Sequence, residues 1–442
     1  MAGFGDIRVA ERAEWFLRRI VMTGSLAPRR LGAGRAGEMS AHRLLSSPHA
    51  SVEAVIDRVS ARTGEACAGL EIVCAQDTSE INFSGRAAAR SGLGPGGDGA
   101  TPGFFVHPLV AVDAAEGRVL GLAGAEIWTR GANKASPRLA RAPQERESHR
   151  WLAGAERAGA VLAKAARITV VGDRESDIYR LFALRPANVE LIVRAAQDRA
   201  LNGGGHLFAA LAAGEVLAVK DVSIPPRPGV PGRTAAVSLR ARRVEIKRPA
   251  AAASAGPGLP ESLWITLVEA REDSPPEGMK PLVWRLLSSA ERPPGEIVRL
   301  YRQRWRIEEV FRTLKSGLGL PETQLQDASR IFMLAAFALA ASVRIIQLVD
   351  ARDGSQRPAS DAVDPGFAPA LAAISKSLEG ASARQKNPFP PDRLSFVAWI
   401  CARLGGWNCY YKPPGPKTMA AGWNALAQQL AGYALATGLK NV

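Results

Sequence analysis

The chain contains few of the residues that build sulfur- and imidazole-based sites. It has four cysteines and five scattered histidines in 442 residues, with no CxxC spacing. Neither a zinc site nor a disulfide framework is therefore indicated. The sequence also lacks a GxxxxGK[ST] stretch, which argues against the phosphate-binding loop of nucleotide hydrolases.

Long apolar runs are also scarce. The N-terminus has no apolar segment typical of a signal peptide. The longest apolar stretch, 331–349, is interrupted by Arg344 and Gln347, so we expect a buried helix there rather than a membrane span. A cytoplasmic protein is the resulting prediction.

Acidic residues are outnumbered by basic ones. There are 57 Lys and Arg against 42 Asp and Glu, which gives a formal net charge of +15. Such a balance favours a polyanionic partner, although a basic proteome background produces the same value. With 47% hydrophobic and 22% charged residues, the chain is globular, and its length predicts about two to four domains.

The pattern of apolar residues changes from helical to strand-like near residue 70. Strand-like runs lie at 70–76, 104–112, 119–128, 167–172 and 189–194, with helical segments at 144–166 and 174–184. Three strands, a helix, a strand, a helix and a strand follow the order of the ribonuclease H-like fold, a mixed sheet with helices on its faces. Further strand-like runs at 215–224, 233–247 and 262–270 predict a β-rich insertion. The regions on either side of this α/β part are predicted to be helical.

One segment after the insertion carries a dense charge pattern. Its residues Tyr301, Arg304, Glu308, Arg312 and Lys315 follow at intervals of 3, 4, 4 and 3, so a helix would present them as one stripe. A second stripe of Ile307, Phe311, Leu314 and Leu318 predicts that the helix packs on a core. A carboxylate among fixed cations suits metal-assisted chemistry on a phosphodiester. A solvated face with ordinary ion pairs remains the alternative.

Two aspartates follow predicted strands. Asp77 ends the first strand and Asp173 the fourth, and these two strands are neighbours in a ribonuclease H-like sheet. Glu308 would join them from the later helix, and three convergent carboxylates can hold a pair of Mg²⁺ or Mn²⁺ ions. For each aspartate alone, a strand-end turn or a helix N-cap is the commoner role.

These residues resemble the YREK signature of bacterial insertion-sequence transposases that carry a DDE catalytic triad. The signature would be Tyr301, Arg304, Glu308 and Lys315. Segments 76–78 and 172–177 resemble the two aspartate segments of that family. Further similar segments are 4–6, 103–107, 147–148 with Trp151, and 404–406. The resemblance thus extends over almost the whole chain.

The resemblance implies a role for each matching residue. Asp77, Asp173 and Glu308 would be the catalytic triad and would bind Mg²⁺, with Mn²⁺ as a possible substitute. Tyr301, Arg304 and Lys315 would hold phosphates of the cleaved DNA end and a displaced base. Arg312 stands where relatives carry a lysine, which preserves the charge but not the donor geometry.

Two more positions outside the signature match the family. Arg194 would contact a phosphate, and Trp284 would stack on a flipped base. Stacking suits a sharply bent strand, because an extruded base regains about 1–3 kcal/mol on an aromatic face. The alternative for Trp284 is a core tryptophan in a strand.

The family also implies a fold and a reaction. Expected parts are a helical DNA-end-binding domain (1–69), a ribonuclease H-like core in two parts (70–198 and 291–355), a β-rich insertion (199–290) and a helical C-terminal dimerisation region (356–442). A homodimer would bind terminal inverted repeats in double-stranded DNA, excise the element through nicking and hairpin formation, and join it to target DNA. The alternatives are a structure-selective nuclease and an inactive DNA-binding repressor derived from a transposase.

Overall fold

The architecture is a mixed α/β arrangement around one large sheet. The structure is a computed structural model. It describes residues 4, 6–83, 90–130, 149–212, 214–224, 232–250, 258–410 and 413–438. Residues 5, 144–146 and 147–148, which belong to segments discussed above, lie outside the described residues. The sheet and its helices are compatible with a ribonuclease H-like transposase fold.

Five strands form the central part of the sheet. They lie in the order β5–β4–β1–β6–β7. β4 runs antiparallel to β1 and β5, whereas β1, β6 and β7 are parallel. Their bounds are β1 Glu71–Gln76, β4 Pro102–Asp113, β5 Val119–Trp128, β6 Arg167–Gly172 and β7 Val189–Arg194. The five predicted strands are confirmed. They could be predicted because each is a short apolar run that ends at a turn residue.

The β-rich region continues this sheet. Strand β11 pairs antiparallel with β7, and β10, β9 and β8 follow outward. The bounds are β8 Ala218–Ile224, β9 Arg233–Lys247, β10 Ser262–Glu272 and β11 Val283–Ser288, while β2 Ser79–Asn82 and β3 Gly94–Pro95 pair with β4. The three predicted insertion strands are confirmed, and β11 adds the link that joins them to the core sheet.

Helices cover the sheet and make up the N-terminal and C-terminal regions that the structure describes. The N-terminal helices are α1 Ile7–Thr23, α2 Pro28–Gly32, α3 Arg35–Leu45 and α4 Val52–Ala66. Within the α/β region lie α5 His149–Val161, α6 Tyr179–Leu184, α7 Leu207–Ala212, α8 Pro294–Arg302 and α9 Arg306–Arg312. The last helices are α10 Ala328–Ala351, α11 Ala368–Leu378, α12 Leu394–Leu404 and α13 Pro416–Thr437.

Helix α10 is the central core helix. It is long and apolar enough to cross a membrane, but 83% of its apolar window is buried inside the protein, which confirms the predicted buried helix. Its Phe337 ring packs edge-on against Phe16 of α1, with centroids 5.0 Å apart. The N-terminal helices therefore share a hydrophobic core with the region that follows the insertion.

Candidate active site

Two parallel strands place Asp77 and Asp173 at the same edge of the sheet. Ala75 of β1 is paired with Val171 of β6. Continuing that register by two residues makes Asp77 and Asp173 equivalent positions, each the first residue after its strand. The charge of Asp173 also raises the pKa of Asp77, as expected for neighbouring carboxylates.

Local hydrogen bonds fix both aspartates. Asp77 Oδ1 accepts a 2.7 Å bond from the backbone N–H of Thr78. Asp173 Oδ1 accepts a 2.8 Å bond from the backbone N–H of Glu175 and caps a short 3₁₀ turn, Arg174–Ser176. Asp173 thus performs the capping role common for such residues, while its second carboxylate oxygen has no part in that bond.

The segment after Asp173 differs from the predicted helix 174–184. A break at Asp177 separates the 3₁₀ turn from α6. The Asp177 carboxylate is buried and accepts bonds from the Arg199 guanidinium and from the backbone N–H groups of Ala196 and Gln197. This buried contact between Arg199 and Asp177 anchors the loop that follows Asp173.

The charged segment forms a nearly continuous helix built from several turn types. Helix α8 passes through a 3₁₀ turn, Gln303–Trp305, into α9 and then into a π turn, Thr313–Gly317. The apolar stripe predicted for this segment is buried in the core, with Ile307, Phe311, Leu314 and Leu318 each at most 6% exposed. That burial orients the charged stripe toward the two aspartates.

Arg304 connects the helix to the sheet edge. Its Nη1 lies 2.5 Å from Asp77 Oδ2, and its Nη2 lies 3.3 Å from Glu308 Oε1. One guanidinium therefore bridges the first and third carboxylates of the predicted triad. Glu308 follows Arg304 by one helical turn, so the geometry of the helix places their side chains within contact distance.

Asp77 experiences the charges of both other carboxylates. Its pKa is raised to about 7, chiefly by burial and in smaller part by Asp173 and Glu308, whereas Arg304 and the Thr78 N–H oppose this rise. A carboxyl poised near neutrality beside two other acids is typical of a catalytic or cation-binding position. In this site Arg304 is bonded directly to Asp77 and Glu308.

Three other predicted residues lie around the same edge. The Tyr301 ring is 6% exposed and meets the Trp284 ring edge-on, with centroids 5.9 Å apart. Arg194 ends β7 and donates to the backbone carbonyl of Val283 at 3.2 Å. Burial lowers the pKa of Arg194, while Tyr301 and Asp173 are among the groups that raise it. Trp284 is half-buried, so both predicted roles for it stay open.

The two remaining cations of the stripe, Lys315 and Arg312, lie in different surroundings. Lys315 lies in the π turn and is half-buried; burial lowers its pKa, and the charges of Glu80 and Glu308 raise it. Arg312 is exposed; burial raises the pKa of Glu309, and the charge of Arg312 is among those that lower it. The structure therefore brings Lys315 to the carboxylates and leaves Arg312 toward solvent.

Sequence reasoning missed Arg150 of α5. Its Nε donates to Thr78 Oγ1 at 2.9 Å, and its Nη2 lies 3.1 Å from Glu175 Oε2. Arg150 therefore contacts a neighbour of Asp77 and a neighbour of Asp173 at once. The Thr78 hydroxyl also meets His107 Nδ1 at 2.9 Å. No local spacing relates α5 to these strand ends, so only the tertiary fold reveals the contacts.

The donor set fits a hard divalent cation. Asp77, Asp173 and Glu308 offer only carboxylate oxygens, the ligands that Mg²⁺ and Mn²⁺ prefer. In the part of the chain that the structure describes, no group of three or more His, Cys, Asp or Glu residues stands ready to hold a metal ion. Instead the Arg304 guanidinium stands in as the cation between Asp77 and Glu308.

Comparison with known families agrees with this chemistry. A family model described as a transposase DDE domain matches residues 236–343. The matched segment contains most of β9, all of β10 and β11, and the helical segment with Arg304 and Glu308; Asp77 and Asp173 lie before it. The match supports an enzyme acting as a transposase, a class that generally uses divalent metals and acts on DNA.

Proposed function

We propose that the protein is a cut-and-paste transposase with the YREK signature. It would excise a DNA element by a 3′ nick, hairpin formation and hairpin resolution, and transfer the freed strands into target DNA. The observation that carries this proposal is that Asp77 and Asp173 follow equivalent positions of two paired parallel strands, and that Arg304 bridges Asp77 and Glu308.

Asp77, Asp173 and Glu308 are the proposed metal-binding and catalytic triad, with Mg²⁺ as the cofactor and Mn²⁺ as a substitute. When bound, divalent ions at these oxygens would supply an activated oxygen nucleophile and stabilise the leaving oxygen. The protein contributes rigid placement: two strand ends and one helix turn hold the three carboxylates, and the capped turn at Asp173 fixes its orientation.

The cations around the triad are proposed to bind the DNA backbone. Arg304, Lys315 and Arg194 lie beside the carboxylates and would hold phosphates of the cleaved end, where a guanidinium fork matches phosphate oxygens. Arg312 would contact the backbone from the exposed side of the helix. Because these contacts neutralise phosphates, end binding should weaken as salt rises.

Trp284 and Tyr301 are proposed to receive the base displaced when the hairpin forms. Their rings already meet edge-on beside the triad. Trp284 is half-buried and packs against the core, and its indole is an aromatic surface of the kind on which an extruded base stacks. This arrangement favours a hairpin-forming transposase over a nuclease with the same sheet.

The rest of the chain would organise the DNA. We propose a ribonuclease H-like core with a β-rich insertion, a helical N-terminal domain that binds terminal inverted repeats, and a helical C-terminal region that forms the homodimer of the synaptic complex. The protein would act on double-stranded DNA in the cytoplasm.

The proposal is tested by cleavage of a supercoiled plasmid that carries the element's own ends, with Mg²⁺ or Mn²⁺. We expect linear and hairpin-ended products from the wild type and none from Glu308→Gln. The matched control is Glu309→Gln, the same chemical change one residue along the helix, where the carboxylate pairs with Arg306. The control should cleave like the wild type.

Other outcomes would favour the alternatives. Binding to the ends without any metal-dependent cut would indicate an inactive DNA-binding repressor. Nicking that ignores the end sequence and yields no strand joining would indicate a structure-selective nuclease. Equal cleavage by wild type and Glu308→Gln would remove the triad from the mechanism.

A further inference from the structure

Arg304 occupies carboxylate oxygens that the proposed metal would need. Its two terminal nitrogens lie 2.5 Å from Asp77 and 3.3 Å from Glu308. All three side chains are sheltered, with 14%, 15% and 35% of their surfaces exposed, respectively. A guanidinium and a divalent ion on the same sheltered oxygens would repel each other strongly. The two cations should therefore exclude each other.

We infer that Arg304 is an internal counter-ion that holds the triad closed to metal until a DNA phosphate withdraws it. This inference rests on the proposed function and adds regulation of the same site. It makes metal loading conditional on DNA, so that free protein would not carry an active metal centre able to cut at random.

The surroundings of Arg304 allow it to leave. The residue sits in the 3₁₀ turn between α8 and α9, and rotation about its side-chain bonds can move the guanidinium away from the carboxylates without a change in the backbone. Burial lowers the pKa of Arg194, and the positive charges of Arg174 and Arg304 lower it as well, so these cations repel one another at this edge. A phosphate arriving among them would attract Arg304 and relieve that repulsion.

The exchange has a thermodynamic consequence. If DNA removes the competitor of the metal, then metal must strengthen DNA binding by the same factor. Removing the guanidinium should free the carboxylates in the absence of DNA. Arg304→Gln is thus expected to bind metal more tightly than the wild type, although it loses a phosphate contact.

The test measures Mn²⁺ binding by electron paramagnetic resonance, first without DNA and then with a short duplex carrying the element's end. Without DNA, we expect Arg304→Gln to bind Mn²⁺ more tightly than the wild type by a factor of roughly 5–150, the usual span of such coupling. Adding DNA should raise the affinity of the wild type and leave that of Arg304→Gln nearly unchanged. The control Arg302→Gln removes an exposed charge two residues away and should match the wild type.

Equal or weaker Mn²⁺ binding by folded Arg304→Gln would overturn the inference. If that variant does not fold, Arg304→Met takes its place, because it also removes the positive charge but keeps a long side chain on the helix; it should also bind Mn²⁺ more tightly than the wild type, and no gain would be equally decisive. Glu308→Gln in the same assay separates the two proposals. Binding that is unaffected by Glu308→Gln would refute the metal site itself, whereas binding lost in Glu308→Gln but unchanged in Arg304→Gln would refute only the counter-ion role.

Discussion

Two arginines lie at opposite ends of the same parallel strands, and each is paired with carboxylates. The two clusters differ in how completely their charges and hydrogen bonds are satisfied. At the amino ends, Arg292 is buried and pairs with Glu71 of β1, Glu190 of β7 and Glu296 of α8. At the carboxyl ends, Arg304 pairs with Asp77 and Glu308, and Asp173 acts on the same group of charges.

The difference lies in what each cluster leaves unsatisfied. Burial lowers the pKa of Arg292, but the hydrogen bonds that it donates to all three glutamates raise it above its ordinary value, so this cluster is a closed structural network that ties α8 to the sheet. At the other end, burial raises the pKa of Asp77 to about 7 despite its contact with Arg304. An ion cluster with unmet charge can bind a further cation, whereas a closed cluster only holds elements together.

The largest effect is expected for a substitution in the Asp77–Asp173–Glu308 cluster, and it should be a loss of DNA cleavage without a loss of stability. Asp173→Asn is expected to lower cleavage of element ends on the order of a thousandfold or more, because a metal ligand is lost while the capping oxygen is kept. Its fold should be retained, as measured by circular dichroism and thermal melting. Full activity in this variant would place the chemistry elsewhere.

The second effect should appear in stability instead of chemistry. Arg292→Met removes the buried cation that the three glutamates share and leaves Glu71 and Glu190 only Arg167, whose nitrogens lie 4.0 and 3.8 Å from their oxygens. The expected loss is about 3 kcal/mol, the lower end for a broken buried pair because the glutamates remain about one-third exposed. Urea unfolding measures it. At a temperature where the variant stays folded, its cleavage per molecule should equal that of the wild type. A loss of cleavage without a loss of stability would contradict the purely structural role of the Arg292 cluster.

A third change acts on the aromatic side of the functional cluster. Trp284→Ala should reduce hairpin formation about tenfold, within the 1–3 kcal/mol that base stacking supplies, and leave the first nick unchanged. Trp284→Phe keeps a stacking face and serves as the matched control. Separate timing of nicked and hairpin products measures both steps. Equal loss of both products in Trp284→Ala would indicate a packing role.

A fourth prediction concerns pH. Because burial raises the pKa of Asp77 to about 7, with Asp173 and Glu308 raising it and Arg304 lowering it, protons should compete with metal below that pH. Mn²⁺ affinity should fall by about tenfold per pH unit below 7 and level off above it. Titrations across this range in wild type and in Glu309→Gln measure the effect. An affinity independent of pH would mean that Asp77 is already ionised.

The smallest effect is expected at the exposed cation. Arg312→Gln should weaken binding of element ends by about 1 kcal/mol or less, as for other solvent-exposed charges. Lys315→Gln, which removes a half-buried charge beside Glu308, should weaken it more. Binding measured at two salt concentrations compares them. A larger loss for Arg312→Gln would show that DNA approaches from the solvent side of the helix.

The sequence allowed the strands and the helix stripe to be predicted because both follow from local periodicity. The run 119–128 became β5 with the same bounds, since alternating apolar residues end at recognisable turns. The convergence of Asp77 and Asp173 was also within reach, because it depends only on two neighbouring parallel strands. Which residues perform the chemistry remains a prediction.

Other features needed the tertiary structure. The bridge from Arg304 to Asp77 joins residues 227 positions apart, and Arg150 reaches two strand ends from a separate helix. The π turn at Lys315 inserts one extra residue per turn and changes the direction of that side chain, which a regular 3.6-residue period does not anticipate. Ion pairing between distant segments leaves no local pattern in the sequence.

The most direct test of the central claim is a crystal structure with Mn²⁺ and a DNA end, with the metal located by its anomalous scattering. We predict anomalous density between Asp77, Asp173 and Glu308, with the Arg304 guanidinium turned to a phosphate. Manganese bound elsewhere, with Arg304 still bridging Asp77 and Glu308, would contradict the account.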